Sequence, residues 1–204
     1  MITQHPIERE SFEIIRAELA EHSLTEAQVN VAVRVIHATA DFDFLHLLRF
    51  SPGAVEAGLA ALRRGCTVVT DVHMTESGIS GSMLAKLGGQ KVCVIDAPEI
   101  HAAAEQAGVT RSTLAMRANA ARLDGGIAAI GNAPTALLEV IRLVREAGLR
   151  PALIVGMPVG FVSAVESKEE LQTLNVPYIT AVGRKGGSPV AAATLNALLR
   201  MAIV

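Results

Sequence analysis

Four polar residues, Asn30, Arg34, His37 and Asp41, are spaced four, three and four positions apart. On an α-helix this spacing places side chains on one face, so they form a polar stripe if the helix continues to Asp41. Histidine exchanges protons near neutral pH, and the arginine fork binds carboxylates. The stripe is either a solvated helix face or the edge of a pocket, in which Arg34 holds an anion and His37 transfers a proton. The spacing alone does not distinguish between these two interpretations.

The stripe needs a helix to carry it. The segment "LTEAQVNVAVRVIHA" predicts one, with Thr25 as N-cap and an apolar face beside the stripe. "SFEIIRAELAEH" before it also has helical spacing of apolar residues. "SPGAVEAGLAALRRG" after it predicts a helix that starts at Ser51 and stops at Gly65. The N-terminal part of the chain is therefore predicted to be helical.

From Cys66 onward, short apolar runs alternate with helical segments. Runs that are apolar on both faces are typical of a parallel sheet covered by helices on both sides. The predicted fold class is α/β: one domain over residues 1–204, three-layer α/β/α, with a mainly parallel sheet of about five strands. Cys66 and Cys93 are predicted to be small buried residues of these strands. The five runs are 66–71, 91–96, 126–131, 152–157 and 177–182.

The loops that follow the predicted strands are rich in Gly, Ser and Pro. In open α/β sheets, ligands bind outside the carboxyl ends of the strands, and helix N-termini there attract carboxylates and phosphates. The same residue types are also what tight turns require. Each loop is therefore open to both interpretations, ligand contact or turn formation. The loops are "DVHMTESGISGS", "DAPEI", "GNAPT", "GMPVGF" and "GRKGGS".

Composition and missing motifs exclude several classes of function. The 18 basic and 20 acidic residues and the 3% aromatic content argue against nucleic-acid or membrane-surface binding. The P-loop, dinucleotide and nucleophile-elbow motifs are missing. Asp71 and His73 could ligate a metal, but two candidate ligands alone are weak support for a metal site, so no metal is predicted. Without a signal-peptide pattern or a membrane-length apolar run, the chain is expected to be cytoplasmic.

Longer stretches of the sequence are distinctive. They are "SFEIIRAE", "VRVIHA", "TRS", "AIGNAPTAL", "GMPVGFVSAVESKEEL" and "GRKGGS" with "AAATLNAL". Together, from about Ser11 to Leu198, they resemble the precorrin-8X methylmutase family of cobalamin biosynthesis. The resemblance implies an isomerase that moves a methyl group from C11 to C12 of a contracted tetrapyrrole, precorrin-8X or its cobalt form. The product is hydrogenobyrinic or cobyrinic acid. It also implies a homodimeric α/β/α fold with the corrinoid site near the subunit interface, and no cofactor.

The resemblance assigns roles to individual residues. His37 corresponds to the proton donor or acceptor, and Arg34 to a substrate contact. Ser11, Arg111 and Ser112 correspond to further substrate contacts. From the sequence alone, the two serines could instead cap helices, and Arg111 could form a surface ion pair or begin a helix.

The chain departs from the family pattern after His37. The stretch "ATADFDFLHLLRFS" adds His46, an extra histidine that is expected to be a surface or core residue. Two other functions stay open: a corrinoid carrier without turnover, and a nucleotide-binding α/β enzyme. Turnover would distinguish the isomerase from the carrier. Thermal stabilisation by a corrinoid acid, but not by ATP, NAD or S-adenosylmethionine, would exclude the third class.

Overall fold

The computed structural model describes residues 6–204, so residues 1–5 of the predicted domain lie outside it. Within this range a six-stranded sheet has the order β1-β6-β5-β4-β2-β3. All neighbouring strands are parallel except β1, which is antiparallel to β6. The predicted α/β fold class is confirmed. The strands are β1 Leu48–Phe50, β2 Thr67–Thr70, β3 Gln90–Val92, β4 Ile127–Ile130, β5 Leu153–Gly156 and β6 Tyr178–Ala181.

Twelve helices are formed by residues 6–204. The first six are α1 Pro6–Ala17, α2 Glu26–Thr39, α3 Phe44–Leu47, α4 Ala54–Arg63, α5 His73–Gly78 and α6 Gly81–Lys86. The others are α7 Pro98–Ala107, α8 Arg111–Ala118, α9 Ala120–Leu123, α10 Pro134–Glu146, α11 Ala164–Leu171 and α12 Ser188–Ile203. None of these helices is long and apolar enough to cross a membrane.

The sheet separates two apolar cores. Val68 of β2 belongs to the core with α2, α4 and α12, and its neighbour Val69 belongs to the core with α8 and α10. Ile127 and Ala128 of β4 divide in the same way. Successive side chains of a strand point to opposite faces, so a strand that is buried on both faces is apolar throughout. This is the physical origin of the uninterrupted apolar runs.

The helix that carries Arg34 and His37 begins where predicted. Thr25 Oγ1 accepts from the N–H of Gln28 at 3.4 Å, and Gln28 Oε1 accepts from the N–H of Thr25 at 3.0 Å. This reciprocal capping box fixes the start of α2. The helix ends at Thr39, because Ala40 adopts a left-handed conformation with φ 53°.

The polar stripe is therefore one residue shorter than its spacing suggests. Continuation of the helix to Asp41 was the condition for including that residue, and the structure contradicts it. The Asp41 carboxylate instead accepts from Lys185 Nζ at 2.6 Å. The ion pair joins the end of α2 to the loop after β6, so Asp41 has a structural partner distant in sequence.

Other boundaries differ from the predictions. The helix that was predicted to start at Ser51 is α4, which starts at Ala54, after Gly53 with φ +70°. The loop expected over 71–82 contains α5 and the start of α6. The helical segment 111–123 divides into α8 and α9 at Asn119, whose side chain donates to the carbonyl of Ala115. The two cysteines were predicted to be buried strand residues; they are half-buried instead and lie one residue outside the observed strands β2 and β3.

The strand β1 was not predicted. It has only three residues, too few to show alternation, and it lies at an edge of the sheet. Beyond its last residue, the N–H of Ser51 donates to the carbonyl of Tyr178 at 3.0 Å, and Ser51 Oγ accepts from the N–H of Tyr178 at 2.9 Å. These contacts with β6, distant in sequence, hold the strand in place.

Candidate functional site

His37 lies in the last turn of α2 with its imidazole exposed to solvent. The edge of its ring meets the ring of Phe12 on α1, with centroids 5.0 Å apart and planes at 88°. Edge-to-face contacts of this kind restrict the orientation of both rings. The imidazole is therefore oriented by α1 and is still accessible for proton exchange.

Arg34 lies one turn before His37 and is well buried, with 14% of its side chain exposed. Its Nη2 donates to Glu8 Oε1 on α1 at 2.9 Å, and its guanidinium lies 4.9 Å from the ring centroid of Phe12. Burial lowers the pKa of Arg34, and the nearby charge of Arg200 also lowers it, whereas the hydrogen bond to Glu8 raises it. Because an arginine pKa starts above 12, the group stays charged at neutral pH.

Glu8 connects three helices. Its carboxylate accepts from Arg34 on α2 and from Arg200 Nη2 on α12, at 3.0 Å to Oε1 and 2.9 Å to Oε2. Burial would raise the pKa of Glu8, but the hydrogen bonds and positive charges of the two arginines outweigh it, so the pKa lies below its usual value. The carboxylate neutralises one of two adjacent guanidinium groups, and a net positive charge remains.

Two cavities meet at Arg34. The smaller one, of about 200 Å³, contains the imidazole of His37 together with Ala38, Gly78 and the first turns of α12. The larger one, of about 530 Å³, lies between α1, α2 and the end of α12. Four guanidinium groups line the larger cavity, those of Arg9, Arg16, Arg34 and Arg200. These four groups pair with three carboxylates, those of Glu8, Glu13 and Glu26. The remaining positive charge suits an anionic ligand such as a carboxylic acid.

The remaining predicted residues fall into two places. Ser11 lies within α1 next to Phe12, and its hydroxyl donates to the carbonyl of Ile7 at 2.9 Å. Arg111 and Ser112 begin α8 in the other helical layer, where Thr110 supplies the N-cap by accepting from the N–H of Thr113. The alternative that Ser11 and Ser112 cap helices is therefore wrong. Arg34 and His37 lie together on α2 and both contact Phe12 of α1. The Ser11 hydroxyl, in contrast, bonds within its own helix, and Arg111 and Ser112 lie in the other helical layer.

Arg111 forms the surface ion pair that sequence reasoning allowed. Its Nη1 lies 3.3 Å from Asp96 Oδ1 and donates to His101 Nε2 at 2.9 Å. It is also the first residue of α8, as the other alternative proposed. His46, the extra histidine, lies exposed on α3.

Asp71, which follows β2 and was considered as a metal ligand, is a buried carboxylate whose oxygens bind backbone N–H groups. It accepts from the backbone N–H groups of Gly131, Asn132 and Ala133 at 3.0, 2.7 and 2.7 Å, and from the hydroxyl of Thr75 at 3.1 Å. These N–H groups belong to the "GNAPT" loop that leads into α10. Because Asp71 occupies these three N–H groups, they favour turn formation over ligand contact at this part of the loop.

Gly131 is required at this position for a second reason. A Cβ atom there would lie 2.6 Å from Cα of Ser188 and 2.5 Å from Oγ1 of Thr75. Backbone at that distance cannot move aside without shifting the start of α12. The close approach brings the ends of β2 and β4 against the helix that borders the His37 cavity.

The loops after β5 and β6 are held together by a buried lysine. Lys168 on α11 is almost fully buried, and its Nζ donates to the carbonyl of Lys185 at 2.9 Å. Burial lowers the pKa of Lys168 to about 8. The guanidinium of Arg184 lies 5.2 Å from the ring centroid of Phe161, whose side chain is exposed. Both loops thus form one rim at the carboxyl edge of the sheet.

Sequence reasoning missed Glu8, Phe12 and Arg200, which surround the predicted pair of Arg34 and His37. The four-residue spacing of Glu8 and Phe12 on one helix face was a usable signal. The position of Arg200 depends on how α12 packs against α2 and carries no local signal. The fold and the site together define the class of protein: a three-layer α/β protein with an oriented imidazole beside clustered guanidinium groups.

The chain belongs to the precorrin-8X methylmutase family, whose model matches residues 6–201. It is 48% identical to the cobalt-precorrin-8 methylmutase of Priestia megaterium, over 94% of this chain and 85% of that one. It is 42% identical to the precorrin-8X methylmutase of Pseudomonas aeruginosa, over 94% and 93% of the two chains. The structure of precorrin-8x methyl mutase from Thermus thermophilus superposes with a TM-score of 0.91 at 43% identity, over 96% and 95%.

Proposed function

We propose that this chain is an isomerase of cobalamin biosynthesis that moves a methyl group from C11 to C12 of precorrin-8X or cobalt-precorrin-8. The products are hydrogenobyrinic acid and cobyrinic acid. The observation that carries the proposal is the family match over residues 6–201, nearly the whole chain. We infer that these residues act as one domain. The carrier and nucleotide-enzyme alternatives have no comparable support.

His37 is the proposed proton donor and acceptor. Protonation of the conjugated macrocycle withdraws electrons from the neighbouring quaternary carbon and eases migration of its methyl group. After the shift, the imidazole takes the proton back, so the reaction is an isomerisation without net proton uptake. A well-placed general acid of this kind contributes about 10²–10⁴ in rate. The exposure of the ring to the cavity and its contact with Phe12 support this role.

Arg34 is the proposed contact for a carboxylate of the substrate periphery, beside its existing partner Glu8. Ser11, on the neighbouring helix, is a proposed hydrogen-bond donor to the same ligand. Arg111 and Ser112 lie in the other helical layer, and their proposed contacts are with a different part of the large ring or with a second copy's ligand.

We propose that the active form is a homodimer located in the cytoplasm, with no nucleic-acid partner and no cofactor. The exposure of His37 supports the dimer. Ligand sites bury most of the surface of their ligand, whereas this chain alone leaves the His37 imidazole exposed to solvent. We propose that a second copy of the chain forms the remaining wall of the ligand site. Light scattering after gel filtration measures whether the mass in solution is twice 21.4 kDa.

The deciding experiment follows the visible absorption spectrum of precorrin-8X, or its cobalt form, mixed with the full chain. We expect conversion to the product spectrum by wild type, a rate about 10²–10⁴ lower for His37→Ala, and retained binding by that variant. The exposed His46→Ala is the matched control and should turn over at the wild-type rate. Equal turnover by His37→Ala would refute the role of His37. Binding without conversion by wild type would establish the carrier function instead.

A further inference from the structure

Three side chains with metal-binding atoms converge at the carboxyl edge of the sheet, outside the group around His37. His73 begins α5 after β2, Glu76 lies one turn later, and Cys93 follows β3. The strands β2 and β3 are parallel neighbours, with Val69 opposite Val92. This pairing brings together residues that are seventeen and twenty positions apart in the sequence.

The distances fit a shared cation. One ligand atom from each of His73, Glu76 and Cys93 lies within 4.8 Å of the other two. His73 Nδ1 and Glu76 Oε2 are 3.0 Å apart. Atoms bound at 2.0–2.3 Å to a tetrahedral zinc ion are separated by about 3.3–3.8 Å. Small rotations of the side chains are enough to reach that arrangement.

The second nitrogen of His73 has a partner of the kind that supports a metal ligand. Its Nε2 faces Asp96 Oδ2 at 3.5 Å, while Nδ1 faces Glu76. Metal-bound imidazoles commonly direct their other ring nitrogen to a carboxylate, which fixes the ring and makes it a stronger ligand. A simple ion pair between His73 and Glu76 would explain one carboxylate. It would not explain a carboxylate at each nitrogen with a thiol beside them.

The backbone around these residues is fixed, and the side chains can be reached from solvent. Lys91 Nζ donates to the carbonyls of Glu76 and Ile79 at 2.7 and 2.8 Å, which secures the last turn of α5. The side chain of His73 is 50% exposed. An ion could therefore enter without unfolding of the helix, and a prearranged backbone reduces the ordering cost of binding.

We propose that His73, Glu76 and Cys93 bind a divalent transition-metal ion, with Zn²⁺ as the best match to one nitrogen, one oxygen and one sulfur ligand. Asp96 orients His73 from outside the ligand set. Three protein ligands leave the fourth position of a tetrahedral ion to water. Binding displaces the thiol proton of Cys93 to solvent. No step of the proposed methyl shift uses the ion. Within residues 6–204, the site touches the proposed substrate-binding residues only through the ion pair between Asp96 and Arg111.

The test uses the full chain, reduced and stripped with a chelator, and titrated with ZnCl₂ by calorimetry. Wild type should bind one ion per chain. His73→Ala should abolish binding, and Asp96→Asn should weaken it by about 10–100-fold. CoCl₂ serves as a second probe, because cobalt bound to a thiolate absorbs in the near ultraviolet. Cys93→Ser should remove that absorption.

The matched control is Cys66→Ser, since Cys66 is the other cysteine of the chain and lies half-buried before β2. It should keep both the stoichiometry and the cobalt absorption. If the Cys93 or His73 variants fail to fold by circular dichroism, a measurement on wild type replaces them. Zn²⁺ should then slow alkylation of Cys93 but not of Cys66, as mapped by mass spectrometry. Absence of ion binding by wild type, or unchanged binding by folded His73→Ala, would overturn the proposal.

Discussion

Arg34 donates from Nη2 to Oε1 of Glu8 at 2.9 Å, across 26 positions of sequence. This bond fixes the guanidinium against α1 one turn away from His37. Arg200 donates to both oxygens of the same carboxylate, so Glu8 links α1, α2 and α12. The orientation of the proposed substrate contact is therefore set by a residue with no chemistry of its own to perform.

Replacement of Glu8 by Gln should destabilise the fold. The amide keeps one acceptor but leaves two half-buried guanidinium groups without a counter-charge. We expect the free energy of unfolding to fall by about 1–3 kcal/mol, the range for hydrogen bonds to charged groups. Urea denaturation measures the change. Glu13→Gln removes an exposed carboxylate of the same helix, 3.7 Å from Arg9, and should change stability by less than about 1 kcal/mol. Equal effects would contradict the special role of Glu8.

The same carboxylate predicts a pH dependence. Its pKa lies below the usual value in the folded chain, so the unfolded chain takes up the proton first as the pH falls. Its stabilisation is complete above the unfolded pKa of about 4.3 and disappears as the pH falls through the lower folded value. Wild type should therefore lose its advantage over Glu8→Gln below about pH 4. A stability difference that stays constant from pH 7 to 3 would refute this.

Asp71→Asn should be strongly destabilising. The amide nitrogen cannot accept the N–H groups of Asn132 and Ala133 that now bond to the carboxylate, and Ala133 is buried away from water. Unsatisfied buried donors cost about 1–3 kcal/mol each, so we expect a loss of at least about 2 kcal/mol. Asp124→Asn is the control, because Asp124 is exposed and accepts from the N–H of Arg150. Thermal unfolding measures the melting temperatures of both variants. Similar melting temperatures would contradict the prediction.

Lys168→Met should alter the dependence of stability on alkaline pH. The pKa of Lys168 falls from the ordinary value of 10.5 to about 8 on burial, so between these values the unfolded chain holds a proton that the folded chain lacks. Wild-type stability attributable to this group therefore rises with pH from about 8 to 10.5 and is constant below that window. The difference between wild type and variant should change across the window by roughly 3 kcal/mol. Parallel curves from pH 7 to 10.5 would exclude the effect.

The sheet was predictable because burial on both faces leaves a simple signature. Five largely apolar runs indicated five parallel strands; four of the runs contain a strand, and the run 91–96 overlaps β3, which begins one residue earlier at Gln90. The edge strand β1 gave no signature, since three residues are too few for a pattern. Whether α2 continues to Asp41 was left open by the spacing. The helix ends at Thr39 because Ala40 is left-handed, a conformation that alanine rarely adopts and that cannot be predicted from the residue type.

The site was predictable only where its residues share one helix. Arg34 and His37 are three positions apart, so their common face follows from helix geometry. The approach of Glu8 to Arg34, and of Cys93 to His73, depends on which helices and strands become neighbours. Tertiary packing decides such contacts, and spacing carries no information about them.

Both margins of the sheet are three-residue strands, β1 and β3. Arg49 and Gln90 are exposed on these margins. Short, polar edge strands offer few free backbone N–H and C=O groups, so another chain cannot pair a long strand with either edge of the sheet. Solutions at high concentration should therefore resist fibre formation. Any association between copies should use helices or loops, which leaves the proposed dimer to form through side-chain contacts and not through a shared sheet.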